Sequence, residues 1–376
     1  VSALPDEAYA AALAALPLMT VQRLRALLCE QSPEAAYAVA AGQARPSPLL
    51  QRALSRSDVR AAWQQAATTE HAERVWQRCR QLGLQVLVAG NERYPRLLAY
   101  DHTAPAVLFA VGDLQLLAGR RAAIIGTRNA TASGRFVAGR FGEELAANGV
   151  HVVSGLARGV DGCAHRGALR AADGAGPIGV VGSGLDIVYP REHSALWAEV
   201  SQRGLLLSEA PPGALPEAYR FPLRNRLLAA LAEVVVVVES RERGGSLITV
   251  TEAIERNVPV MAVPGSPASR ASAGTNALLR DGAAPATEPA DVLDVLRLDH
   301  RRQWVPDPEL RPRPSGLDAR VYGCCARDPH TVESLAEQCS ASLVEVAMAV
   351  ARLEQHGWLL GADGWYQTLG APFDGR

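Results

Sequence analysis

Apolar and polar positions along this chain follow two different rhythms. Over residues 1–70, Leu13, Leu16, Leu24, Leu27 and Leu28 recur at the spacing of a helical face in Ala- and Arg-rich sequence. Pro17 and Thr20 mark a helix stop and the next N-cap. This pattern predicts a small all-helical domain over 1–70, followed by a mixed connector over 71–104 in which Val86-Leu87-Val88 is a short strand. Ala106–Val111 reads as another strand. From Arg121 the rhythm changes, and short apolar runs alternate with helical stretches of roughly 10–15 residues. Ala122–Ile125, Val150–Val153, Ile178–Val181, Leu205–Leu207, Val234–Val238 and Val258–Val263 read as strands. Helices are expected near 133–148, 162–172, 192–202, 223–231 and 246–256. Such alternation predicts a Rossmann-like α/β domain over 105–297, a doubly wound parallel sheet covered by helices. Val234–Val238 contains no polar residue, so it reads as a strand buried on both faces.

Beyond it, the proline-rich stretch 298–316 around Trp304 reads as a linker. Leu317–Cys325, Thr331–Gln338 and Leu343–His356 then read as three helices, and Gly357–Leu360 with Trp365–Gln367 as a hairpin. Three helices and a hairpin predict a winged-helix domain over 317–370.

Composition narrows the chemistry. The formal net charge is −1, so any nucleic-acid contact must use a local patch. Lysine is absent and every basic side chain counted as Lys+Arg is arginine. A Walker A loop needs lysine, as does a Schiff base, so both are excluded. None of the six cysteines forms a Cys-x-x-Cys pair, which leaves no metal spacing. No apolar run is long enough to span a bilayer. The first residues show no basic segment followed by an apolar stretch, and cytoplasm is the expected compartment.

Candidate chemistry gathers at four turns. Gly126-Thr127-Arg128, the run Gly155–Asp161 with Arg158, and Gly182-Ser183-Gly184 each follow an apolar strand. In an open parallel sheet such turns line the carboxyl edge, where ligands bind. Glycine lets a ligand approach the backbone, helix N-termini offer free N–H groups, and arginine adds a forked cation. The edge is expected to bind phosphate, with Arg128 poised for the anion. A full Gly-x-Gly-x-x-Gly fingerprint is missing and Ser154 stands where a ribose-binding acid would be, so a nicotinamide cofactor is disfavoured and none is expected.

The fourth piece is Phe221-Pro222-Leu223-Arg224-Asn225-Arg226, preceded by Arg220. An aromatic face with arginines around it is how single strands are held without sequence reading. Basic side chains at a helix start oppose its dipole, which favours a bound anion. Gly244-Gly245-Ser246 opens another helix and is a second anion cradle. Asp161 is expected to cap the following helix. With His165 four residues on, it forms either a general-base dyad or a scaffold for the turn, and the scaffold is preferred. Asp186 is expected to fix its own loop in the same way.

These residues carry a resemblance. Val153–Leu169, Gly182–Pro190, Ser208-Glu209, Phe221–Ala230, Gly245–Ala253, Val263-Pro264-Gly265 and Gly274–Ala283 together closely resemble the DNA-processing protein A (DprA/Smf) family. Tyr94-Pro95 and Ala104–Leu108 look like that family's lead-in. The resemblance implies a single-stranded DNA-binding protein of natural transformation that protects incoming strands and loads the RecA recombinase, without catalysis of its own. It maps phosphate contacts onto Arg128, Arg191, Arg224 and Arg226, and a homodimer contact onto about 274–283. It likens the N-terminal domain to a sterile-alpha-motif or helix-hairpin-helix module. Leu18-Met19-Thr20 lacks the glycines such a hairpin would use to grip a phosphate, and Ala218 stands where the family sometimes has a basic residue.

A competing reading is a nucleoside-monophosphate phosphoribohydrolase-like enzyme of the lysine-decarboxylase-like Rossmann group. That group carries Pro-Gly-Gly-x-Gly-Thr-x-x-Glu. Here Arg243–Glu252 keeps Glu252 but has Leu247 in place of the middle glycine, which favours the DNA binder. A third reading is a transcription regulator. It is weakened because 331–356 carries Glu333, Glu337, Glu345 and Glu354 against Arg352 alone, and acids repel phosphate.

Overall fold

The computed structural model describes residues 4–47, 50–51, 56–296, 313–362 and 364–368. The linker expected over 298–316 lies outside them up to residue 312. Two compact units emerge, one built on a nine-stranded sheet and one at the C-terminal end.

The larger unit opens with α1 (Asp6–Ala14), α2 (Val21–Leu28), α3 (Pro33–Ala40), α4 (Ser57–Ala66) and α5 (Thr69–Gln81). Thr20 caps α2 by accepting the Arg23 N–H, as its position in the sequence predicts. The sheet follows: β1 (Gln85–Val88), α6 (Arg96–Ala99), β2 (Val107–Gly112), β3 (Arg120–Gly126), α7 (Ala132–Ala147), β4 (Val150–Ser154), α8 (Val160–Arg170), β5 (Ile178–Val181), α9 (Ser194–Arg203) and β6 (Leu205–Ser208). Its second half is α10 (Arg220–Leu231), β7 (Val234–Glu239), α11 (Ser246–Glu255), β8 (Val260–Ala262), α12 (Ala273–Arg280), β9 (Ala284–Pro285) and α13 (Pro289–Val295).

Strand order is β1-β2-β6-β5-β4-β3-β7-β8-β9. Every pair from β6 to β9 is parallel, whereas β1 and β2 join the edge antiparallel. The chain winds from β3 out to β6, then crosses back to place β7 on the other side of β3. This makes the β3/β7 junction the topological switch point, beside which a crevice opens at the carboxyl edge.

Alternation along the strands divides the core. Ala123, Ile125, Val235 and Val237 face Leu227, Leu228 and Leu231 of α10 and Ala253 of α11. Ala122, Ile124, Val234 and Val236 face Phe141 and Leu145 of α7 and Ala164 of α8. The all-valine strand is apolar on both sides because both sides are covered. The N-terminal helices share a core with the sheet: Leu13, Leu27 and Trp63 pack in one cluster with Val86, Phe109, Trp197 and Leu206. The sheet therefore starts at Gln85, inside the segment read as a connector.

The smaller unit has α14 (Gly316–Cys325), β10 (His330–Thr331), α15 (Val332–Gln338), α16 (Leu343–Gln355), β11 (Leu359–Ala362) and β12 (Trp365–Thr368). Its antiparallel sheet runs β10-β12-β11. Val321, Leu335, Val346, Val350, Leu353 and Trp358 fill one small core. Ser342 and Glu345 form a capping box at the start of α16. This is a winged-helix arrangement. Among the described residues, no helix is long and apolar enough to cross a membrane.

Candidate nucleic-acid interface

The switch point is built by two loops tied together. After β3, the Thr127 N–H donates to the Glu239 carbonyl at the end of β7 (2.7 Å), and the Thr127 carbonyl accepts from Val160. Gly159 has φ 74°, and a Cβ there would collide with the carbonyls of Thr127 and Arg128, so only glycine fits. Beside these loops lies an open cleft of about 710 Å³ whose lining includes Arg128, Phe221, Arg224, Arg241 and Arg243.

One wall is aromatic. The Phe221 ring stands 5.5 Å from that of Tyr189, tilted by 39°. The exposed Arg128 lays its guanidinium 4.8 Å from the Phe221 centroid. A cation held flat on a ring keeps its edge donors free for an anion.

The floor is Arg224, which is only 6% exposed. Its Nη1 donates to the Val180 carbonyl, while Nε is buried with no hydrogen-bond partner among the described residues. The guanidinium occupies the space a side chain at position 155 would need, which explains Gly155. Burial pushes Arg224 down to about 10, opposed by the attraction of Asp161 and aided by the like charge of Arg128. It stays charged at neutral pH. Asp161 is itself buried, and burial pushes its carboxyl up against the pull of Arg224 and of the Ala157 and Gly155 N–H groups. Its Oδ2 accepts from the Gly155 N–H at 3.1 Å. The pair thus braces the post-β4 turn from beneath with a cation at its top.

The structure brings together Arg128, Phe221, Arg224, Asn225, Gly126, Gly245 and Ser246 around one cleft. Asn225 Nδ2 donates to the Gly245 carbonyl at 3.4 Å and Ser246 Oγ to Ser240 Oγ at 2.9 Å. Gly155, Arg158 and Gly182 line a smaller chamber behind Phe221, where Arg158 is also ion-paired with Glu192. Gly184 is a packing residue whose N–H donates to the Ala214 carbonyl.

Three expectations need correcting. Arg226 does not reach the cleft: it is buried, ion-paired with Glu209 at 2.5 Å and bonded to the Thr103 carbonyl, because two residues along a helix turns a side chain to another face. Arg191 lies exposed on a short 3₁₀ turn and lines neither the cleft nor the chamber. Asp161 does not cap α8, since Gly159 holds that position and Asp161 sits in the first turn. Asp186 does fix its loop, accepting from the Gly213 N–H and pairing with Arg78.

His165 is no partner in a dyad. Its Nε2 lies 3.3 Å from the Ile178 carbonyl and its buried Nδ1 has no partner among the described residues. Burial holds it down to about 4, helped by the like charges of Arg224, His193 and Arg166 and opposed by the Ile178 carbonyl. Between that value and its unfolded pKa the unfolded chain binds the extra proton, so stability falls as pH drops through this window. Replacing it with a neutral donor, His165→Gln, should remove about 2 kcal/mol of the loss between pH 7 and pH 5. Denaturant midpoints of both proteins at the two pH values check this.

Sequence reasoning missed Arg241, Arg243 and Tyr189. The signal was present in Ser240-Arg241-Glu242-Arg243, which directly follows the most apolar strand. Both arginines are exposed and line the cleft, on the loop that follows β7 beside β3.

Comparison with known proteins places this cleft in a family. The family model described as DNA recombination-mediator protein A matches residues 85–297, the whole sheet with its carboxyl-edge loops. The chain belongs to the DNA recombination-mediator protein A family. It is 38% identical over 218 residues to the DNA processing protein DprA of Bacillus subtilis, covering 58% of this chain and 73% of that one. It is 35% identical over 292 residues to the protein Smf of Escherichia coli K12, covering 76% and 77%. The solved structure of DprA from Streptococcus pneumoniae superposes with a TM-score of 0.64 at 29% identity, covering 77% of this chain and 98% of that one. That of Helicobacter pylori DprA, described by its single-stranded DNA binding mode, gives a TM-score of 0.51 at 31% identity, covering 57% and 96%.

Proposed function

We propose that this chain is a single-stranded DNA-binding mediator of recombination. In this reading it holds strands taken up in natural transformation, shields them, and delivers them to RecA in the cytoplasm. The observation that carries it is the cleft itself: Arg128 stacked on Phe221 beside Tyr189, with Arg241 and Arg243 also in its lining and the charged Arg224 at its floor. Ring faces take bases of any sequence, while arginines track the backbone. A family relative whose structure is described by its single-strand binding mode adds support.

The reading includes no catalysis. Asp161 and His165 are engaged in bracing the fold. Glu252, the acid of the hydrolase reading, is ion-paired at 2.6 Å with Arg256, which Asp101 also holds. A homodimer through the α12 segment, about 274–283, completes the proposal. The delivery step is tested by following RecA filament assembly on a strand precoated with single-strand-binding protein. Addition of the chain shortens the lag if it mediates loading; an unchanged lag removes RecA delivery from the account.

A further inference from the structure

A second cavity of about 840 Å³ lies in the same unit, between the α1–α2 turn and the segment from β6 into α10. Its N-terminal side is Ala14 to Leu24. Its other side includes Pro211, Pro212, Tyr219, Arg220 and Leu227. Nothing in the cleft's function described so far uses it.

Three observations give it an occupant. First, it adjoins the cleft: Val181, Gly182 and Arg224 line both this groove and the small chamber behind Phe221, and that chamber shares Arg128 and Tyr189 with the cleft. Second, the described residues contain two arginine–aromatic stacks, and each chamber has one. Arg128 covers Phe221 at 4.8 Å in the cleft, and Arg220 covers Tyr219 at 5.2 Å in the groove. Third, the polar groups suit a polyanion with flat bases. Arg220 Nε is buried with Glu217 as its ion-pair partner, and Arg23, which donates to the Leu18 carbonyl at 2.6 Å, has no acidic partner among the described residues. The two acids present are already neutralised, Glu209 by Arg226 at 2.5 Å and Glu217 by Arg220 at 3.4 Å. Two large side chains, Leu18 and Tyr219, are left 55% and 56% exposed at the groove.

We propose that the groove is a second station on the path of the single strand, where a nucleobase stacks on Tyr219 against the apolar N-terminal turn. This rests on the cleft being the first station. It also assigns the N-terminal domain a role that its missing hairpin glycines do not preclude: it contributes an apolar wall for a base instead of a backbone grip on phosphate. A peptide is the alternative occupant, disfavoured by the adjoining arginine cleft and by the stacked arginine.

The test uses the full chain and two oligothymidines, of about 6 and about 18 nucleotides, bracketing the site sizes typical of stacking grooves. Leu18→Glu and Tyr219→Ala alter exposed side chains, so the fold is retained and thermal melting verifies it. Both variants should bind the long strand about tenfold more weakly, the scale of one lost base stack. Leu18→Glu should bind the short strand as wild type does, whereas Arg128→Ala weakens both lengths. A strand carrying 5-iodouracil should photocross-link to Tyr219. Wild-type affinity of both groove variants for the long strand, with cross-links confined to the Phe221 side, overturns the second station and leaves the cleft intact. Weak binding of either length by the wild type overturns both.

Discussion

Arg224→Met is expected to abolish tight single-strand binding and to lower stability by about 3 kcal/mol. The side chain is buried where the cleft, the chamber and the groove adjoin, and its attraction is the largest holding the buried Asp161 carboxyl, ahead of the Ala157 and Gly155 N–H groups and Arg128. Methionine keeps much of the volume but removes the charge. It also leaves the Val180 carbonyl without its Nη1 donor and removes the largest attraction on Asp161. Removing one partner of a buried charge arrangement costs far more than the arrangement is worth in net terms, because the other charge is left uncompensated. Asp161 would then release its hold on the Gly155 N–H and the post-β4 turn would loosen. Denaturant unfolding together with strand titration checks both halves. A variant that melts like wild type and binds normally would mean that Arg224 is neither brace nor floor.

The triple replacement of Arg128, Arg241 and Arg243 by alanine gives the second large effect, and it separates binding from folding. All three are exposed, so stability should change by less than about 1 kcal/mol. Three lost phosphate contacts should reduce the slope of log affinity against log salt by about 2, at roughly 0.7 per contact on a single strand. At low salt the affinity should fall about 100-fold. Titrations at several salt concentrations measure both quantities. A full affinity loss with an unchanged slope would point to stacking alone, and no change in either would move the phosphate path out of this cleft.

Much of this architecture is legible in the sequence because burial on two faces leaves a plain mark. Val234–Val238 and Ile178–Val181 carry no polar alternation, and both are interior parallel strands. In the turn after β4, Gly155 is glycine because the Arg224 guanidinium fills the space that a side chain there would need. Other features leave no such mark. Periodicity shows that the N-terminal helices have an apolar face but not what that face meets, and it meets β1, β2 and α9 in a shared core. Composition marks Arg224 and Arg226 alike, yet they lie on different faces of α10, so one braces the cleft and the other pairs with Glu209. Arg241 and Arg243 escape a linear reading because they come to the site only through the crossover that sets β7 beside β3, more than 100 residues after Arg128. The acids Asp161 and Asp186 read in sequence as scaffolds for their turns, and Glu252 as the acid of a hydrolase loop. In the fold each has a partner: a backbone N–H, a loop N–H with Arg78, and Arg256.

The central claim is that the switch-point cleft binds single-stranded DNA through phosphate and base faces. Fluorescence-anisotropy titration of the full chain with a labelled oligothymidine and with its duplex, each at low and high salt, tests it most directly. The account predicts tight binding of the single strand, marked preference over the duplex, and a steep loss of affinity as salt rises. Equal affinity for the duplex, or single-strand binding indifferent to salt, would contradict it.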